Sequence, residues 1–221
     1  PADAHTALTG LSETMRPGSI NSLSESTAPA FRVTFEGAIP SPRELYWRGL
    51  VLTDTDGQNW SRRRISRTEA ESFQALGEPV RYTVTLEPNN KPWMPALDLP
   101  AEVPAGARPQ PGYTLEQPGP IRERLTYTLN SYSRYRTPTL EPAERVVMLQ
   151  LPDDLSPRVQ ALARRWQQEN PEPRAIAQQA LSHFRNEQFI YTLKPPLLEQ
   201  DPVDEFLFTS RRGFCEHYAA A

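Results

Sequence analysis

The chain has 221 residues, with 24 prolines, 10 glycines, one cysteine and a formal net charge of −3. A single cysteine excludes an internal disulfide framework and any CxxC zinc or redox site, and the slightly acidic balance argues against a nucleic-acid binder driven by bulk charge. With 38% apolar and 23% charged residues the chain can bury a core, and its length fits one large or two modest domains.

The sequence begins with Pro1 rather than methionine, which predicts an excised segment, and no charged leader precedes an apolar run. The longest apolar stretch, near 146–151, is far shorter than the ~20 residues of a membrane helix. Up to about residue 150 the hydrophobic period is two. Phe31, Val33 and Phe35 alternate with Arg32, Thr34 and Glu36. Val80, Tyr82, Val84 and Leu86 alternate with Arg81, Thr83 and Thr85, and Leu125, Tyr127 and Leu129 with Arg124, Thr126 and Thr128. Each reads as a strand with one face on a core. The more continuous apolar run 45–52 reads as a central strand. Asp56-Gly57, between that run and Trp60, predicts a hairpin turn. The Asp54-Thr55-Asp56-Gly57 string is not a calcium loop: with Gly57 at loop position six, Leu52 and Arg63 fall at positions one and twelve, and neither ligates calcium.

Ten prolines fall between positions 79 and 120, and nine of the ten glycines lie at or before 119. That shift predicts a long irregular excursion over 88–120, because proline cannot donate in a central ladder. From Ser156 the period becomes 3.6. Ser156 is a good N-cap and Pro157 suits the first helical position. Val159, Leu162, Ala163 and Trp166 form an amphipathic stripe that Asn170-Pro171 ends. A second helix is expected from Pro173, with Ile176, Ala177, Ala180, Leu181 and Phe184 as its buried face. A short strand over 189–193 and one helical turn over 204–208 follow. The architecture read from these patterns is α+β, with an antiparallel β domain, sandwich or distorted barrel, over 1–150 and a helical region over 151–221.

The only cysteine lies in Arg211-Arg212-Gly213-Phe214-Cys215-Glu216-His217-Tyr218-Ala219. Gly213 permits a sharp turn, and the residues from Cys215 onward tolerate a helix. Unpaired N–H groups at a helix N-terminus favour a thiolate, and Arg211 and Arg212 add positive potential. The competing reading is a small buried thiol. His217, two residues on, would point away from Cys215 on a helix and reads as structural or solvated. His183 reads as a satisfied, partly buried histidine, and His5 as incidental. Trp47 and Trp60 with Tyr46 read as core or cross-strand aromatics, with a ligand groove as the alternative. Arg62-Arg63-Arg64 with Arg67 reads as a solvated loop, with an anionic lipid or cell-wall contact as the alternative. Trp93 reads as pinning the Pro-rich segment to the core, or else as a recognition tip. Glu199, Asp201, Asp204 and Glu205 read as a solvated rim and a helix start.

Asp204-Glu205-Phe206-Leu207-Phe208 followed by Arg212-Gly213-Phe214-Cys215-Glu216-His217-Tyr218-Ala219 resembles the nucleophile motif of the transglutaminase-like superfamily. Phe31-Arg-Val-Thr-Phe35, Leu45-Tyr-Trp-Arg-Gly49 and Asp56-Gly-Gln-Asn-Trp60 resemble a region that precedes this motif in bacterial membrane-anchored proteins of the TgpA type. The resemblance implies that 151–221 is the first part of a papain-like transglutaminase core. It implies a periplasmic region whose parent is held in the membrane by helices outside this chain. It gives Cys215 the role of nucleophile toward a protein or peptide carboxamide, with a histidine as base and an acid to orient it. In that family the histidine and aspartate follow the cysteine by tens of residues, whereas six residues follow Cys215 here, so this chain alone is expected to be inactive and its last turn to keep an uncovered face. Nothing in the sequence implies a metal or organic cofactor, a nucleic-acid partner or a particular partner for the β domain. Three functions stay open: an acyltransferase, a cysteine hydrolase on the same scaffold (peptidase or deamidase), and a non-catalytic cell-envelope binding module.

Overall fold

A computed structural model describes residues 12–19, 28–62 and 70–221, and it shows an α+β protein with several antiparallel sheets and five helices. The chain divides into two compact units: one built from residues 28–52 and 70–145, the other from 12–19, 53–62 and 146–221.

The first unit is organised by a four-stranded antiparallel sheet. Its strands are β1 (Phe31–Phe35), β2 (Val80–Leu86), β3 (Leu99–Pro100) and β4 (Leu125–Tyr132), in the order β3-β4-β2-β1. The register aligns the alternating apolar residues into rungs across three strands: Phe31–Leu86–Leu125, Val33–Val84–Tyr127 and Phe35–Tyr82–Leu129. A one-residue slip would turn every one of these side chains to the other face. The opposite face carries threonines, with Thr83 and Thr128 hydroxyls 2.9 Å apart, and Glu87 bridging Arg32 at 2.6 Å and Arg124 at 3.1 Å. Exposed pairs of this kind contribute about 0.2–1 kcal/mol, whereas a fully buried Leu or Val contributes about 1.5–3 kcal/mol, so the apolar rungs hold the sheet.

The Pro-rich segment is not an irregular excursion. It forms five strands of two or three residues and supplies Trp93, Met94, Ala96, Leu97, Leu99 and Leu115 to the buried interior. Short strands accommodate proline because each needs few ladder donors, and Pro100 and Pro109 themselves lie in such strands. Trp93 is buried, with the Lys91 ammonium 5.5 Å from its ring centre, so it pins the segment and is not an exposed tip. The run 45–52 is not a central strand: only Trp47–Arg48 pairs, with Ala96–Leu97, and Tyr46 is 60% exposed. Its partner is a two-residue strand between Pro95 and Asp98, a residue with φ 40°, so the ladder cannot extend. Trp47 packs edge-on against Phe31 and Tyr82, as a core aromatic does.

Two buried phenols lock the short strands to the sheet. Tyr82 Oη accepts the Leu97 N–H at 2.7 Å and shares a 2.9 Å hydrogen bond with Ser131 Oγ. Tyr127 donates to the Pro95 carbonyl at 2.7 Å.

In the second unit the Asp56-Gly57 turn closes a hairpin of Asp54–Thr55 with Trp60–Ser61, to which Thr14–Met15 also pairs. Asp56 accepts the main-chain and side-chain N–H groups of Asn59 and the main-chain N–H of Gln58, which lowers its carboxyl to about 2. Gly18 lies so near Leu198 that an added Cβ would meet the leucine Cβ at 2.5 Å. Helix α1 (Pro142–Met148), whose residues 142–145 belong to the first unit, precedes α2 (Pro157–Glu169), α3 (Pro173–Asn186) and α4 (Pro202–Glu205). Ser156 caps α2 by accepting the Arg158 N–H, and α2 ends at Asn170, as its sequence predicts. Within its stripe Leu162 is buried, Val159 and Trp166 are half-buried, and Ala163 is exposed. On α3 the expected face is corrected: Leu181 is 55% exposed and Ala177 is exposed, while Ile176, Ala180, His183 and Phe184 turn partly inward. The inward face follows the aromatic contacts of His183 and Phe184 with Phe189, not the 177–181 row.

Asp204, on α4, reaches Ser156 Oγ and the Arg158 guanidinium on α2, its Oδ2 lying 3.0 Å from Arg158 Nε. It is 8% exposed and therefore not part of a solvated rim. Glu205 accepts the N–H groups of Glu199, Gln200 and Asp201. These carboxylates are structural ties.

Two expectations follow. Hydrogen bonding by Arg158 holds the Asp204 carboxyl below the usual aspartate range. Its contribution is thus present above that range and is lost as the pH falls through the lowered value. Asp204→Asn should cost about 1–3 kcal/mol in denaturant unfolding and flatten the acid limb. Burial pushes the Tyr82 phenol up to about 12 and raises that of Tyr127. The unfolded phenols ionise near ~10, so stability is intact below that pH and falls as the pH rises above it. Tyr82→Phe should cost about 1–3 kcal/mol at neutral pH, by leaving the Leu97 N–H unpaired, and should make the alkaline fall shallower.

Candidate functional site

The approach to Cys215 is built in four steps. After α4 the chain widens into a π-helical turn, Phe206–Ser210, in which the Arg211 N–H donates to the Phe206 carbonyl at 3.0 Å. Arg211 then takes a left-handed conformation, φ 49°, which ends the turn. Next, β5 (Ile190–Tyr191) and β6 (Arg212–Gly213) pair in parallel, with the Ile190 and Thr192 N–H groups donating to the Arg211 and Gly213 carbonyls at 2.8 Å. Phe214 follows in extended conformation as the N-cap of α5 (Cys215–Ala220), so Cys215 is the first helical residue. The expected strand over 189–193 is therefore two residues long, and the expected helical turn over 204–208 is one α turn plus a π turn.

An aromatic cluster fixes this path. Phe206, 1% exposed, has ring centres of Phe189, His217 and Tyr218 at 5.3, 5.5 and 5.0 Å. Phe184 meets Phe189 and Tyr218 edge-on, and Tyr191 stacks on Tyr218. Such aromatic pairs add about 0.5–1.5 kcal/mol each beyond area burial. Phe208 lies under the Arg158 guanidinium at 4.7 Å. Thus every aromatic of the Asp204-Glu205-Phe206-Leu207-Phe208 string has a packing role.

Cys215 is exposed, which removes the reading of a small buried thiol. Of its neighbours, Phe214 and His217 are buried, Tyr218 is half-buried, and Ala219 and Ala221 are exposed. Arg211 is paired with Glu187 at 3.1 Å and lies 5.5 Å from the Phe189 ring centre, while Arg212 is exposed. Burial raises the neighbouring Glu216 carboxyl. His217 is 1% exposed, and its Nδ1 accepts the Phe214 N–H at 3.4 Å. It is structural and not solvated, and burial lowers its affinity for a second proton. His183 is half-buried among Trp166, Phe184 and Phe189; its Nε2 is buried without a hydrogen-bond partner among the described residues, so it is not the satisfied histidine expected. Burial lowers its pKa too.

A cleft of about 610 Å³ opens in the second unit, floored by Trp60, Leu155, Val159, Ala163 and Val203 and bordered by Ala220. Cys215 does not line it. Of the three aromatics with a ligand groove as the alternative reading, Trp60 lines this cleft and Trp47 and Tyr46 do not; sequence reasoning missed the π turn and the Asp204 tie. His5, Arg63, Arg64 and Arg67 lie outside the described residues. Among the described residues no group of three His, Cys, Asp or Glu side chains converges as a metal site would require, and no helix is long and apolar enough to cross a membrane.

Residues 1–138 match the family model described as the TgpA N-terminal domain. The whole chain is 40% identical to a protein-glutamine gamma-glutamyltransferase of Pseudomonas aeruginosa and spans about a third (33%) of that relative's length. Two solved structures are similar. The periplasmic domain of TgpA from P. aeruginosa superposes with a TM-score of 0.87 at 39% identity, covering 96% of this chain and 74% of that one. The same domain bound to ethylmercury superposes with a TM-score of 0.85, covering 95% and 75%. The chain belongs to the TgpA N-terminal domain family.

Proposed function

We propose that the complete protein is a periplasmic, cysteine-dependent acyltransferase of the transglutaminase-like kind, in which Cys215 is the nucleophile. The observation that carries this reading is the placement of the only cysteine: exposed, first in its helix, and preceded by a π-helical turn and a parallel strand pair. Similarity along the whole chain to a protein-glutamine gamma-glutamyltransferase supports the reaction class, and the match to a periplasmic domain supports the compartment. The related domain's binding of ethylmercury fits an accessible thiol, because soft metal ions select thiolate sulfur.

In this reading the Cys215 thiolate attacks the carbonyl carbon of a glutamine carboxamide. The C–N bond breaks, ammonia leaves with a proton from a general acid, and a thioester forms. A primary amine then attacks the thioester, loses a proton to the conjugate base, and the C–S bond breaks to restore the thiolate. His217 is not that base, since its Nδ1 is occupied and its ring is buried while Cys215 faces solvent. The base and its orienting acid are supplied by the protein beyond this chain.

In the complete protein, a labelled primary amine should be incorporated into a glutamine-bearing protein, and Cys215→Ala should reduce incorporation to background. The isolated 221-residue chain should show none. Ammonia release without amine incorporation would assign hydrolysis instead, and neither product would assign a binding module. Incorporation that survives Cys215→Ala would remove Cys215 from the role.

A further inference from the structure

We propose that Gly213 and His217 form a single clasp that positions Cys215, the imidazole acting as a neutral hydrogen-bond acceptor and the glycine as the floor on which its ring rests. This inference rests on the reading of Cys215 as nucleophile.

The residue before the cysteine is held from both sides by residue 217. The Phe214 N–H donates to His217 Nδ1 at 3.4 Å, and the Phe214 carbonyl accepts the His217 main-chain N–H at 3.0 Å. A helix commonly closes its first turn with a Glu or Gln three residues after the N-cap, reaching back to the cap's N–H. Here an imidazole stands at that position. Because an N–H donates into Nδ1, the ring proton must sit on Nε2, which is buried without a hydrogen-bond partner among the described residues. Groups packed on the ring include Phe214, at 4.8 Å between centres, Phe206 at 5.5 Å, and the Gly213 backbone. None of these three is charged.

Gly213 is required for space and not for conformation. Its φ lies outside the left-handed region, so an alanine could adopt its backbone. A Cβ there, however, would lie 2.5 Å from His217 Cγ and 2.6 Å from His217 Cβ, closer than non-bonded carbons approach. Gly213 is also the β6 residue whose carbonyl accepts from Thr192, so it cannot retreat without breaking the strand pair. The Gly-Phe-Cys-Glu-His spacing is thereby explained as one unit. The glycine admits the ring, the ring holds the Phe214 N–H, and the Phe214–Cys215 peptide is fixed with the thiol facing out.

The clasp predicts coupling that two independent core positions would not show. In the complete protein, His217→Leu keeps bulk but removes the acceptor. It should lower kcat for amine incorporation about tenfold or more, since a misplacement of about 1 Å can cost about 100-fold, with KM little changed. His217→Gln, which restores an acceptor at the same helical position, should recover most of that loss. Gly213→Ala should lower kcat similarly, yet have little further effect in a His217→Ala background, where the ring it strikes is gone. On the 221-residue chain, the ¹⁵N spectrum of His217 should show an unprotonated Nδ1 and a protonated Nε2.

Wild-type kcat in a folded His217→Leu variant, no recovery by His217→Gln, or equal effects of Gly213→Ala in both backgrounds would overturn the clasp. If His217→Leu does not fold, the tautomer decides: a proton on Nδ1 overturns the proposal. Survival of activity in Cys215→Ala would defeat the functional reading, while the tautomer and the Gly213–His217 coupling in thermal stability would still report on the clasp itself.

Discussion

The site depends on one carboxylate that does no chemistry. Asp204 joins the N-terminus of α2 to the start of α4 by meeting Ser156 and Arg158 together. A charge that is 8% exposed is tolerable only where it is paired and hydrogen-bonded, and Asp204 is both. Everything after it in the chain inherits its position. The π turn begins two residues later, the left-handed Arg211 reverses direction, and two residues of parallel strand set the line on which Phe214 and Cys215 enter their helix. The aromatic cluster around Phe206 then supplies the burial that a stretch with so little regular ladder cannot obtain from strand pairing alone.

The two units use different means to the same end. In the first, period-two alternation over long strands builds apolar rungs, and two phenols tie short proline-bearing strands onto them through main-chain groups. In the second, rigidity comes from side chains that satisfy backbone donors: Asp56 in its turn, Glu205 ahead of α4, and His217 at the entry to α5. The π turn is the kind of local irregularity that concentrates at functional sites, and here it lies immediately before Arg211 and the short strand that leads to Cys215.

Much of this was legible in the residues. The three long strands and the two main helices follow from periodicity and capping, because in those segments local preference and tertiary burial agree. Phe31, Val33 and Phe35, or Ser156 with Pro157, need no partner to be interpreted. The run 45–52 and the Pro-rich segment misled for opposite reasons. The first has apolar residues without a partner long enough to make a strand; the second has prolines that suggest a loop but leucines and a tryptophan that fill the interior. Whether Asp204 is solvated depends on Ser156 and Arg158, more than forty positions away, and which side of α3 turns inward depends on Phe206 and Tyr218 as well as the nearby Phe189, so no helical period carries either. At the site, the cysteine and its motif were visible, but the role of His217 was not. A histidine two residues after a cysteine says nothing about which nitrogen is occupied until the Phe214 N–H and the Gly213 backbone are placed beside it.

The second unit draws on residues far apart in the chain. Arg16 donates to the Glu199 carbonyl across 183 residues, and Gln58 to the Gln200 carbonyl across 142. During synthesis from the N-terminus, the segment before Gly18 and the Asp56 hairpin can pair with each other early, but their partners at Leu198, Glu199 and Gln200 do not exist until most of the chain is made, whereas all strand pairing in the central sheet of the first unit is available sooner. Long-separation contacts of this kind carry the greater loop-closure entropy and form late. The surface around Cys215 is therefore the last to be completed, and until then the Trp60 hairpin has only its pairing with Thr14–Met15. An order of assembly is thus written into the connectivity, with the scaffold able to form before the thiol is placed.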